Sequence, residues 1–300
     1  MKKIFIALLL LGLCAILTLG GVVFYRAEKI KVQMQDALNE TLQDYNNKLR
    51  EHHAKLEFSP FICGGFLSIE CKSSEIVLLE KGEEILKATN NIVGLKDFDF
   101  KSITLYSSSA LDYVRSGDLR GYFEVLMPKE LNFSSKLILD SSNTILGKTN
   151  LALQSKNLSY VVEIDSHLIS KKLQDFGILN YIKVGETLDD PIYLDHMKLE
   201  LKSMDLSRAL YEVAKEQYGK LSFSDYKALV ALMTGLSARQ FGTTKEVREL
   251  FRGIKQLVIG QQGELKISIS PKKEFCITCS WDRSFEEIIN EFVWSIEAKE

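Results

Sequence analysis

The chain has only four prolines and no low-complexity tract, so long disordered stretches have little support. Its four histidines lack metal-ligand spacing: His52, His53 and His167 have no suitable acidic or cysteine neighbours. His196, near Asp189, Asp190 and Asp195, is most simply a solvated turn before a strand. Net charge is also small, 38 Lys and Arg against 40 Asp and Glu, which gives no general pull toward nucleic acid. No catalytic or cofactor motif stands above chance. Ser224 to Lys227 matches S-x-x-K, but its companion motifs are missing and Ser224 is easily explained as a helix cap. No catalytic residue, metal or cofactor is therefore assigned. What the 300 residues do offer is 46% hydrophobic content, ample for one large or two modest domains.

The most informative absence is of charge across residues 4–25, a run rich in Leu, Ile, Val and Phe. As a helix it spans about 33 Å, enough for a hydrocarbon core of roughly 30 Å. Lys2 and Lys3 precede it as in a signal sequence. Thr18-Leu19-Gly20 is a passable cleavage site, but the apolar run continues to Tyr25, which favours an uncleaved anchor. Leu13 before Cys14 spoils a lipoprotein site. Flanking charges do not decide orientation, whereas long domains translocate largely regardless of charge. The expectation is a cytoplasmic tail at 1–3, a single-pass bacterial inner-membrane anchor at 4–25 and a periplasmic remainder.

Residues 26–56 have helical spacing. Leu38, Leu42, Tyr45, Leu49, His52 and Leu56 recur four and three apart, as in a coiled-coil seam. Such a stalk helix either packs on its own domain or self-associates. Residues 57–300 form the expected exported unit, α+β in class, with a largely antiparallel sheet and helices concentrated in the C-terminal third. Period-two segments include Leu67 to Cys71, Ile76 to Leu79, Ile85-Leu86 after a Lys81-Gly82 turn, and Phe98 to Phe100. Further strands are expected at Leu119 to Met127, Ser135 to Asp140, Thr149 to Ser155, Leu158 to Ile164, Ile192 to Lys202 and Glu264 to Ser270. A helical insert at about 205–257 has caps at Asp205, at Ser222 or Ser224, and at Thr243 or Thr244. Phe275, Ile277, Cys279 and Trp281 are expected to share a strand face. A last helix, capped by Ser284, is expected through Val293.

Outside the anchor the cysteine count is even: Cys63, Cys71, Cys276 and Cys279. In an oxidising compartment this suggests disulfides with three connectivities. Gly64-Gly65 favours a local Cys63–Cys71 bond, the alternative being cross-links to the C-terminal pair. In a strand, Cys276 and Cys279 point to opposite faces. Either the strand bends to join them, or each has another partner. Structural disulfides are favoured over a catalytic thiol, a four-cysteine zinc site or free thiols. Glycosylation tripeptides begin at Asn39, Asn132 and Asn157, and Glu130 to Ser134 also fits the longer acidic sequon; chance alone supplies such matches.

The Met1-Lys2-Lys3 anchor, the segment from Phe61 to Ser73 with its paired glycines, Met204-Asp205-Leu206, and the stretches Ile254 to Ile259 and Gly263 to Ile267 together resemble the YdgA-type and AsmA-like bacterial envelope families. The resemblance covers much of the chain as a pattern of elements, without an invariant motif, and the cysteines depart from it. It implies an inner-membrane protein facing the periplasm and supplies no catalytic residues. A non-enzymatic role follows, with acyl chains of a lipid in a groove lined by Phe98, Phe100, Tyr122, Phe123 and Tyr160. The alternatives are a scaffold acting as a homo-oligomer or on an envelope protein partner through Leu38, Leu42, Tyr45, Leu49 and Leu56, and an envelope thiol-disulfide protein.

Overall fold

The computed structural model describes residues 27–51, 53–65, 68–97, 101–113, 120–141, 143–170, 190–241, 244–280, 283, 287–288 and 290–299. Residues 4–25, Phe98 and Phe100 lie outside these. Among the described residues, no helix is long and apolar enough to cross a membrane.

The fold is α+β around one antiparallel sheet. Its strands are β1 (Ala54–Phe58), β2 (Ile62–Gly64), β3 (Ile69–Glu80), β4 (Glu83–Lys96), β5 (Ser102–Asp112), β6 (Glu130–Ser141), β7 (Thr144–Gln154), β8 (Leu158–Ile169), β9 (Ile192–Ser203), β10 (Glu264–Pro271), β11 (Phe275–Cys276) and β12 (Phe292–Lys299). They pair in the order β1-β3-β4-β5-β6-β7-β8-β9-β10-β12, with β2 beside β3 and β11 beside β9. Neighbours are mostly consecutive in sequence, as in a meander. The Lys81-Gly82 turn has positive φ at both residues, 55° and 86°, as a two-residue hairpin that follows the sheet's twist requires.

Among the described residues five helices accompany the sheet: α1 (Ala27–Arg50), α2 (Arg120–Leu126), α3 (Leu206–Tyr218), α4 (Phe223–Phe241) and α5 (Lys245–Val258). Helices α3 to α5 form an excursion between β9 and β10, which remain hydrogen-bonded neighbours. Ser222 starts α4 by accepting the Asp225 N–H at 3.1 Å, while its own hydroxyl donates to the Asp225 carboxylate at 2.6 Å. Thr244 starts α5 by accepting the Val247 N–H. Asp205 precedes α3 but does not cap it through its side chain. The Leu206 N–H donates instead to Ser203 Oγ at 3.1 Å.

Besides the Asp205 cap, four expectations need correction. The first helix ends at Arg50, and Leu56 lies on β1, so the heptad spacing runs across a chain reversal at His53, whose φ is 57°. Leu119 to Met127 is helical from Arg120 to Leu126. There Tyr122, Val125 and Leu126 pack on the apolar side of α3, a three-and-four spacing that local β propensity concealed. Strand β11 stops at Cys276, so the face expected through Cys279 does not form. The expected last helix does not reach Phe292 and Val293, which begin β12 because Phe292, Trp294, Ile296 and Ala298 alternate in register against β10; Ser284, Phe285 and Ile289 lie outside the described residues.

Candidate functional site

Ten residues on one face align in register across ten strands: Cys63, Cys71, Val93, Ser107, Phe133, Leu151, Val162, Leu199, Ile267 and Ile296. Paired residues in an antiparallel sheet share a face. This row, in which only Ser107 carries a hydroxyl, therefore defines a continuous apolar surface.

Three groups of side chains cover parts of it. At the β1–β3 end, Met34, Leu38 and Leu42 of α1 are buried against Leu56, Ile69, Cys71 and Leu78, with Leu49 partly buried beside them. The leucines of the expected seam are thus occupied within the chain. Tyr45 is half-buried, with the Lys48 ammonium 5.7 Å from its ring centre. Amide side chains fasten α1 to the sheet edge: the Leu56, Phe61 and Cys63 N–H groups donate to Asn46, Asn39 and Gln35 at 2.9, 2.8 and 3.0 Å. Strand N–H groups left open at an edge invite another chain. Gln35, Asn39 and Asn46 recur on one helix face, yet as polar residues between leucines they gave no sign of this role.

Over one end of β8 and β9, Val125, Leu158, Leu206, Leu210, Ala214, Tyr226 and Leu257 form a second cluster, joined by Tyr122 and Tyr160. The Tyr160 hydroxyl donates to the Leu126 carbonyl at 2.8 Å. Burial pushes its phenol up to about 12. Tyr226 is pushed up to about 12 by burial and then by Tyr122. Burial also raises Tyr113, with Tyr160 adding to the effect. These phenols stay neutral at ordinary pH. Phe123 is half-buried on α2. A third, smaller cluster joins Leu194, Phe275 and Phe292. Val162 and Leu199 face each other in register between these groups and stay half-buried. Of the five aromatic residues expected along a groove, Tyr122 and Tyr160 meet in the second cluster. The aliphatic strip through Val162 and Leu199 was not singled out, although alternation along β8 and β9 carried it.

The opposite face is polar. Lys198 contacts Glu163 and Glu200 at 3.2 and 3.4 Å, and Lys266 contacts Glu200 and Glu264 at 3.5 and 3.2 Å. Asn132 is exposed within β6, on a strand and not a loop. Both local disulfides are present, Cys63–Cys71 and Cys276–Cys279. The first joins register partners of β2 and β3. The second closes where β11 gives way to a turn, so the strand bends after Cys276. His167 lies 2.7 Å from Asp195 and stacks on Tyr193. Among the described residues, no group of three His, Cys, Asp or Glu is arranged to hold a metal ion. No family model matches the chain, and no curated protein matches it.

Proposed function

We propose that this is a non-enzymatic bacterial envelope protein, held at the inner membrane by residues 4–25 with its sheet in the periplasm, whose apolar face accepts the acyl chains of a lipid. The observation that carries this reading is the apolar row across ten strands, half-buried at Val162 and Leu199, where the second cluster lies toward one end of β8 and β9 and the third toward the other. An acyl chain laid along such a strip gains about 0.8 kcal/mol per methylene removed from water. The strip's lack of charge would select the tail and leave the headgroup at its margin. Two disulfides support an oxidising compartment, and the uncharged run at 4–25 supports the anchor. The anchor and the compartment agree with the resemblance to YdgA-type and AsmA-like envelope proteins, from which the cysteines themselves depart.

Expression of Ala27 to Glu300 in an oxidising periplasm, purification without detergent and native mass spectrometry test the reading. A stoichiometric phospholipid or acyl species is expected. A folded, lipid-free protein would reject lipid handling and favour the scaffold reading.

A further inference from the structure

Helix α4 is apolar on both sides. Tyr226 and Val230 face the second cluster. On the other side Leu229, Leu232, Met233 and Leu236 are 44, 60, 59 and 52% exposed. They recur at helical spacing with Ala228 and Gly235, and residues 228–238 carry no charge. A helix apolar all round belongs in a core or a membrane, and this one has only one side in the core. The uncharged run of eleven residues is about 16 Å long, too short to cross a bilayer but able to lie in its surface.

We infer that α4 docks on an anionic phospholipid bilayer surface, with its Leu229 to Leu236 stripe in the acyl boundary. Charge favours this occupant. Residues 206–258 hold nine Lys and Arg against five Asp and Glu, whereas the whole chain has 38 against 40. Lys227 and Arg239 flank the stripe on α4 itself, and α5, packed against α4, carries Arg248 and Arg252 exposed to solvent. A second copy docked through the same face would bring like charges together. The stripe offers on the order of a few hundred Å², against about 800 Å² per partner in a stable complex. This inference stands whether or not the sheet takes an acyl chain.

The test uses the full chain reconstituted in phosphatidylethanolamine–phosphatidylglycerol vesicles. Leu232→Trp adds a fluorophore to the stripe, and acyl-chain-brominated lipid quenches it on contact. Brominated lipid is placed in the protein's own vesicles or, in a second arm, in vesicles added later. Quenching beyond that of the unsubstituted chain is expected in at least one arm, which also names the bilayer engaged. Arg248→Ala and Arg252→Ala are each expected to lower the docked-to-free ratio about fivefold. No added quenching in either arm overturns the inference, provided that the circular dichroism spectrum of Leu232→Trp is unchanged. A dimer abolished by Leu232→Glu, without quenching, would assign the stripe to a second copy instead.

Discussion

Tyr106 on β5 lies across Gly94, its register partner on β4, and its hydroxyl donates to Glu70 on β3 at 2.9 Å. One side chain thereby ties three strands together, and only the missing Cβ of Gly94 permits it: a Cβ there would stand 2.4 Å from Tyr106 Cζ. Lys72 contacts Glu70 at 3.1 Å, and hydrogen bonds from Lys72 and then Tyr106 hold that carboxyl below its ordinary range. Gly94→Ala is therefore expected to cost about 1–3 kcal/mol through displacement of the ring. Tyr106→Phe should cost only about 0.5–1.5 kcal/mol. Urea unfolding of Ala27 to Glu300 checks both, and an Ala variant as stable as the parent would refute the ring's constraint.

Gly253 makes a sharper case because helix propensity and packing predict opposite signs. In an exposed helix interior, Gly→Ala stabilises by about 1 kcal/mol. Here a Cβ would lie 2.5 Å from Leu265 Cδ1, and Leu265 is wholly buried. Gly253→Ala is expected to lower Tm. The double variant Gly253→Ala with Leu265→Ala should lose less than the two single losses combined, since the shortened Leu265 no longer meets the added Cβ, which in turn fills part of the space left.

Much of this architecture is legible from alternation. Strands β6 to β10 and the α3–α5 excursion follow residue periodicity closely, because each buries one face and wets the other. Strand β5 escaped notice: Ser107, Ser108 and Ser109 interrupt its apolar pattern, yet paired strands on both sides satisfy its backbone. The C-terminal segment failed for a different reason. Ile288 is helical as its local pattern suggests, whereas Phe292 and Val293, which suit a continued helix locally, are held as strand by pairing with β10. The apolar row was visible only as separate alternations, since register between strands is not written in any one of them.

Oxidation of all four cysteines outside residues 4–25 has a direct count. The chain has five cysteines, and two disulfides leave Cys14 alone as a thiol. Alkylation of the denatured full chain without reductant should add one label, and five after reduction. Three labels before reduction would mean that one disulfide is absent. Replacing both Cys63 and Cys71 by Ser is expected to cost about 2–3 kcal/mol for the short loop they close.

The ion network on the polar face should give stability a two-sided pH dependence. Burial, the largest influence on the Glu200 carboxyl, acts to raise it, but Glu264, Lys266 and Lys198 together hold it below the usual carboxylate range. Its contribution is present above the unfolded value of about 4.3 and is lost as pH falls through the lower folded value. The Lys198 ammonium is raised, chiefly by its hydrogen bond to Glu163. Its contribution is present below about 10.4 and is lost as pH rises through the higher folded value. Glu200→Gln should lower Tm most between these limits and least at acid pH, by no more than about 1 kcal/mol in stability. A difference that grew on acidification would contradict the assignment.

Lipid occupancy, if the apolar row accepts it, must depend on Leu199. Its side chain pairs with Val162 on one side and Ile267 on the other, so it sits where an acyl chain would cross from β8 to β10. Leu199→Asp sets a carboxylate in that path, and its hydration opposes apolar contact. Co-purifying lipid should fall by an order of magnitude or more. A half-buried site can hydrate the charge, so the fold should survive with a lowered Tm. Leu199→Met conserves volume and polarity and costs less than about 1.5 kcal/mol, so it should keep both lipid and stability. If Leu199→Asp retained lipid at the parent's stoichiometry while folded, the acyl chain would lie elsewhere. If Leu199→Met lost lipid as fully as Leu199→Asp, shape and not charge would govern the strip.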